Sequence, residues 1–93
     1  MSEEAITISL EGELNMSNAR SFQESVIKAI TRNPTSIVLD CEHNESIEVP
    51  ALQTLLALYK HSAENGIDIR WHSPSIALLQ QTEELGLSES LGL

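Results

Sequence analysis

Residues 36–55 read SIVLDCEHNESIEVPALQTL, and three regimes meet in them. Ile37, Val38 and Leu39 make a short continuous apolar run, the pattern of a central strand covered on both faces. From Cys41 to Glu48 the chain carries three glutamates, a histidine and an asparagine, and reads as a bridging connection. Pro50 then opens an apolar, helix-forming run; its fixed φ suits a first helical turn, where its missing N–H would have lacked a partner anyway. The succession predicts a strand, an acidic loop and a helix.

The periodicity extends outward from there. Leu52, Leu55, Leu56, Tyr59 and Ala63 form one helical stripe, with Ala51 and Leu58 widening it at about 100° per residue, and Asn65-Gly66 ends the helix. Upstream, AITISLEGEL (5–14) alternates Ile6, Ile8, Leu10 and Leu14 with Thr7, Ser9, Glu11 and Glu13, a strand with one buried face. Between them Ala19, Phe22, Val26, Ala29 and Ile30 recur at helical spacing, with Ser17 placed to cap the start and Asn33-Pro34 to stop it. Downstream, IDIRW (67–71) alternates again. Ser73-Pro74 then begins a third helix, whose Leu78, Leu79, Thr82 and Leu85 share a face before Gly86.

These elements predict one α/β domain over residues 1–93, in the order β-α-β-α-β-α: a small mixed β-sheet with its helices packed on one face and its other face largely solvated. A chain of 93 residues has room for a single core.

Composition excludes several functions. The formal net charge is −9, with five Lys and Arg against fourteen Asp and Glu, so a polyanionic partner is repelled and nucleic acid is not expected. One cysteine permits no internal disulfide, and no basic-then-apolar leader opens the sequence, so the expected location is cytoplasmic. No apolar run approaches the roughly 20 residues that span a bilayer, so no direct membrane insertion is expected. Asp40, Cys41, Glu42, His43, Glu45 and Glu48 gather potential metal ligands without any of the usual zinc spacings, so the expectation is a solvated acidic loop and no metal. No nucleophile elbow and no phosphate-cradling glycine loop occurs, so neither enzyme nor cofactor is expected.

The order of LEGELN (10–15), SIVLDCEHNESIEVPALQTL (36–55) and NGIDIRWHSPSIALLQQTEELGL (65–87) resembles the STAS family, the sulfate transporter and anti-sigma factor antagonist domains, over about Ile6 to Leu87. The family's first motif, a glycine before an apolar residue and an aspartate, is matched by Gly12, Glu13, Leu14 and, with an amide for the acid, Asn15. Its second, Asp-Ser-Ser-Gly-Leu opening a helix, falls without a gap on Glu48, Val49, Pro50, Ala51 and Leu52. In anti-sigma factor antagonists the first serine of that motif is phosphorylated by the partner kinase. Here Val49 holds that position, a degenerate phosphoacceptor site, and Pro50 removes a second hydroxyl and a backbone N–H from a helix N-terminus suited to phosphate. Ser46 and Thr54 are the only nearby substitutes, each in a setting that disfavours the role.

The resemblance therefore implies a non-catalytic interaction module. Its partner surface is expected at the start of the second helix and the loop before it: Glu45, Glu48, Val49, Pro50 and Ala51, with Leu58 as an exposed apolar ridge. The implied partner is an anti-sigma-type kinase or a signalling assembly. The alternative is a transporter ATPase, with the chain as an accessory subunit resembling the STAS subunit of phospholipid ABC transporters.

Overall fold

The computed structural model describes residues 4–93. Its elements are β1 (Ala5–Ser9), β2 (Gly12–Leu14), α1 (Ala19–Thr31), β3 (Ser36–Asp40), β4 (Asn44–Ile47), α2 (Val49–Asn65), β5 (Asp68–His72) and α3 (Ile76–Glu84). All three expected helices are present. The strands number five among the described residues, in two small sheets of order β1-β3-β5 and β2-β4. Every described pairing is parallel, a more uniform arrangement than a mixed sheet.

Register explains the layering. Ile6, Ile37 and Ile69 lie in one cross-strand row, and Ile8, Leu39 and Trp71 in the next. Both rows face α1 and α2, and Ile8, Ile37 and Leu39 are buried. The intervening rows, Thr7-Val38-Arg70 and Ser9-Asp40-His72, face outward. Val38 is only half-buried, so β3 is covered on one face, not two; its apolar run reflects its central position between β1 and β5.

The first strand is interrupted. Leu10 and Glu11 separate β1 from β2, Gly12 takes φ +65°, and the β2–β4 register shifts between Gly12 and Glu13. A side chain resists that backbone, so glycine is needed where the chain leaves one sheet for the other. Its new partner is the stretch expected to be a loop. Asn44–Ile47 forms β4 because Ile47 reaches the core (5% exposed) and Asn44 acts as a polar post. The Asn44 Nδ2 donates to the carbonyls of Gly12 and Ser46, each at 3.1 Å, and its Oδ1 accepts from Ser75 Oγ at 2.8 Å.

The starts of α1 and α3 fall one or two residues beyond expectation, while α2 opens with Pro50 in its first turn as expected. Asn18, not Ser17, precedes α1, where Asn15 and Asn18 exchange side-chain-to-backbone bonds: Asn18 Oδ1 accepts the Asn15 N–H at 2.9 Å. Ser75 caps α3, accepting the Leu78 N–H at 3.0 Å. Gly66 (φ 68°) closes α2 as Asn65-Gly66 predicts. On α3 only Leu78 and Thr82 are buried, while Leu79 and Leu85 stay exposed. Beyond α3, Leu91 is fully buried and completes the core.

Candidate partner-docking site at the start of α2

Where β4 ends, Glu48 continues in extended backbone (φ −104°, ψ 166°). Its N–H donates to the Leu14 carbonyl at 2.8 Å, tying the foot of α2 to β2. The Glu48 carbonyl then accepts from Ala51 N–H at 3.1 Å and Leu52 N–H at 3.2 Å. No side chain caps the helix. Pro50 has no N–H to offer, and that of Ala51 is engaged, so Val49 alone keeps a first-turn N–H away from the Glu48 carbonyl. An α-helix usually presents several such donors to an anion; this one has lost most of them.

Burial divides the six expected partner residues. Glu45, Glu48 and Val49 are exposed, Val49 at 46%, and Pro50 is half-buried. Ala51 and Leu58, each 1% exposed, belong to the core instead. The reason is the helix phase: Ala51, Leu55, Leu58 and Ser62 fall at spacings of four, three and four, and this stripe meets the sheet with Leu52 beside it. Leu56 and Tyr59 are displaced to half-burial, and Ala63 faces outward. There is no Leu58 ridge.

The apolar surface comes from elsewhere. Met16, 77% exposed, stands in the turn before α1. With Arg20 and Gln23 of α1 and Pro50, Gln53 and Thr54 of α2 it lines a groove of about 410 Å³ between the two helix starts. Met16 lies off the α1 stripe, so helical periodicity gives it no role; its signal is only that a large apolar side chain sits between two asparagines. Arg20 brings a positive charge to the groove. Thr54, one of the substitute acceptors, lies in the groove and donates its hydroxyl to the Pro50 carbonyl at 3.4 Å. Ser46, the other, is a half-buried β4 residue opposite Glu13, not a loop residue.

The acidic stretch does not converge as a unit. Cys41 points into the core at 1% exposure, where burial pushes its thiol up to about 11. Asp40 and Glu42 instead meet His72 of β5, with potential ligand atoms within 4.8 Å of one another. One Asp40 oxygen already accepts the Glu42 N–H at 3.0 Å, Glu42 and His72 are exposed, and exposed acidic groups commonly gather without an ion. Among the described residues, no helix is long and apolar enough to cross a membrane.

A family model described as "Mlab, STAS domain" matches residues 1–93. Among solved structures, an anti-sigma factor antagonist from Mycobacterium paratuberculosis is similar at 21% identity, over 97% of this chain and 77% of that one, with a TM-score of 0.75. A sulfate transporter family protein from Wolinella succinogenes is similar at 17% identity, over 95% and 71% of the two chains, with a TM-score of 0.77. The STAS domain of a SulP transporter from Vibrio cholerae is similar at 18% identity, over 99% and 71%, with a TM-score of 0.67. At these identities the likeness is one of fold. No curated protein matches the chain in sequence.

Proposed function

The chain belongs to the STAS domain family, and from that premise we propose that it is a non-catalytic, cytoplasmic interaction module of bacterial signalling that docks a protein partner through the start of α2. It resembles an anti-sigma factor antagonist whose phosphorylatable serine is replaced by Val49. The observation that carries this reading is the environment of Val49. An apolar side chain, 46% exposed, stands at the helix start, with Glu48 before it and the Met16–Arg20–Pro50 groove beside it. Half-exposed apolar residues next to a groove with a charged rim are the composition of a docking surface. The same position offers no hydroxyl and few free N–H donors, which supports a module held in its binding-competent form without a phosphate switch.

A second reading, accessory subunit of a phospholipid-type ABC transporter seated on its ATPase, uses the same surface. It is favoured by the family description and by transporter proteins among the fold's relatives. One experiment tests the surface and separates the two. Tagged wild type and Val49→Glu are used as parallel baits in cells of the native host, and the proteins depleted on the variant are identified. A kinase or signalling assembly supports the first reading, and an ATPase with its permease the second. Equal recovery of all proteins on both baits overturns the docking surface itself.

A further inference from the structure

Two features coincide on the side of the molecule formed by β1. The first is a sheet edge left unpaired among the described residues. β1 has β3 as its one described neighbour, and the bonds at its ends fix which way its backbone points. The Glu4 carbonyl accepts from Thr35 N–H at 2.9 Å, and Leu10 N–H donates to the Asp40 carbonyl at 2.8 Å. In a parallel ladder alternate residues turn both polar groups to the same neighbour. Residues 4, 6, 8 and 10 therefore serve β3, and Ala5, Thr7 and Ser9, all exposed, present N–H and C=O groups outward. Such an edge is a template for another strand.

The second feature is a groove. Between this edge and α1 lies a space of about 420 Å³, lined by β1 from Ile6 to Ser9 and by Ser25, Lys28, Ala29 and Arg32. Ile6, Ile8 and Ala29 give it an apolar floor, and Lys28 and Arg32 charge its rim. These are two of only five cationic residues in a chain of net charge −9. Arg32 already holds the Glu4 carboxylate through two bonds, at 3.2 Å and 2.6 Å, and its charge is taken up there. Lys28 has no ion-pair partner among the described residues.

We infer that the β1 edge and its groove form a strand-docking site for an extended segment of a partner protein bearing acidic side chains. The segment adds to the sheet through the backbone of Ala5, Thr7 and Ser9. Its alternate side chains enter the groove against Ile6, Ile8 and Ala29, and its carboxylates meet Lys28 at the rim. A second copy of the chain fits less well. Edge-to-edge pairing of two β1 strands sets two bodies of −9 side by side and brings two α1 helices, each carrying Lys28 and Arg32, to one seam. This surface is distinct from the start of α2.

Two peptides of about nine residues, valine alternating with glutamate and valine alternating with lysine, serve as probes in an amide NMR titration of the intact protein. The glutamate peptide shifts the amides of Ala5, Thr7 and Ser9 and slows their hydrogen exchange, and the lysine peptide binds at least tenfold more weakly. Lys28→Glu, a change on the surface of α1, reverses that preference, and Val49→Glu leaves it untouched. Absence of any response at Ala5, Thr7 and Ser9 overturns the site. Equal response to both peptides overturns its preference for acidic segments. Slow exchange of these amides without peptide, in a protein that sediments as a dimer, assigns the edge to a second copy and also overturns the inference.

Discussion

Trp71 donates its indole N–H to the carbonyl of Leu91, 2.8 Å away, so the last strand holds the C-terminal turn. The same N–H lies 2.7 Å from Tyr59 Oη, and the two rings stack with centroids 6.3 Å apart at 19°. One half-buried indole thus joins β5, α2 and the chain end. Leu91 supplies the apolar part of the closure.

Trp71 is the single tryptophan of the chain, so its emission reports on this closure directly. Leu91→Ala removes a fully buried side chain, which in a core costs about 2–5 kcal/mol; fraying of a terminal turn caps the loss at the lower part of that range. The expected result is a red-shifted emission at a urea midpoint only modestly reduced. An unchanged spectrum shows that the turn does not close over Trp71.

Asn44 holds β2, β4 and the start of α3 with three side-chain bonds. Asn44→Ala leaves the part-buried partners of those bonds to find water or go without, for roughly 2–3 kcal/mol in total. Urea unfolding followed by circular dichroism measures this. A loss below about 0.5 kcal/mol means the post is replaced by water at no cost.

Cys41 gives the stability a defined alkaline limb. Its thiol is raised from 9.0 to about 11 in the folded protein, first by burial and secondarily by the Asp40 charge. The unfolded thiol thus loses its proton first. The stabilisation from keeping it neutral is full below pH 9 and is lost as the pH rises toward 11, a change of about 2–3 kcal/mol by linkage. Tyr59, raised chiefly by burial, acts in the same direction at still higher pH. Melting temperatures from pH 8 to 11 should fall more steeply for wild type than for Cys41→Ala; parallel slopes would mean that Cys41 is hydrated in the folded state.

Leu58 separates packing from docking. Fully buried between the sheet and α1, it should cost about 2–5 kcal/mol as Leu58→Ala. If the variant instead unfolds like wild type and loses only partner affinity, Leu58 is a surface residue after all.

What was legible in the sequence follows from how each element earns its place. α1, α2 and β3 bury apolar residues, and β5 half-buries Ile69 and Trp71, at helical or strand spacing, so periodicity finds them. β4 does not: among Asn44, Glu45, Ser46 and Ile47, one apolar side chain and an asparagine's hydrogen bonds hold the strand, and neither makes a pattern. The break at Gly12 was hidden for a related reason, because Ile6, Ile8, Leu10 and Leu14 keep the same parity on both sides of it. At the candidate site, Val49 and Pro50 could be located from motif register. Ala51 and Leu58 could not be assigned to core or surface, because the α2 stripe is wide enough to accept two phases, and only the sheet selects one. Met16 and Arg20 joined the site from another part of the chain, a proximity that belongs to the tertiary structure.

Val49 carries the last prediction. A carboxylate there, as Val49→Glu, stands next to Glu48 at the surface proposed to meet the partner through an apolar side chain. Burying that like-charged group in a complex costs roughly 1–3 kcal/mol, which lowers affinity about tenfold at ~1.4 kcal/mol per decade. The isolated protein pays little, because Val49 is half-exposed and an anion at a helix N-terminus is tolerated there; circular dichroism and the urea midpoint should match wild type. Val49→Ser should bind within a factor of about three, since it removes apolar area without adding charge. A kinase partner should place no phosphate on residues 46–54 of wild type. Ser46 is half-buried in β4, and the Thr54 hydroxyl is turned back toward the Pro50 carbonyl. Val49→Ser should be phosphorylated poorly at best, with Pro50 fixing the next residue in helix and withholding an N–H from the product. The measurement is a titration of the partner recovered with the wild-type bait against all three proteins, with phosphopeptide mapping of 46–54. Equal affinity of Val49→Glu and wild type removes the start of α2 from the interface.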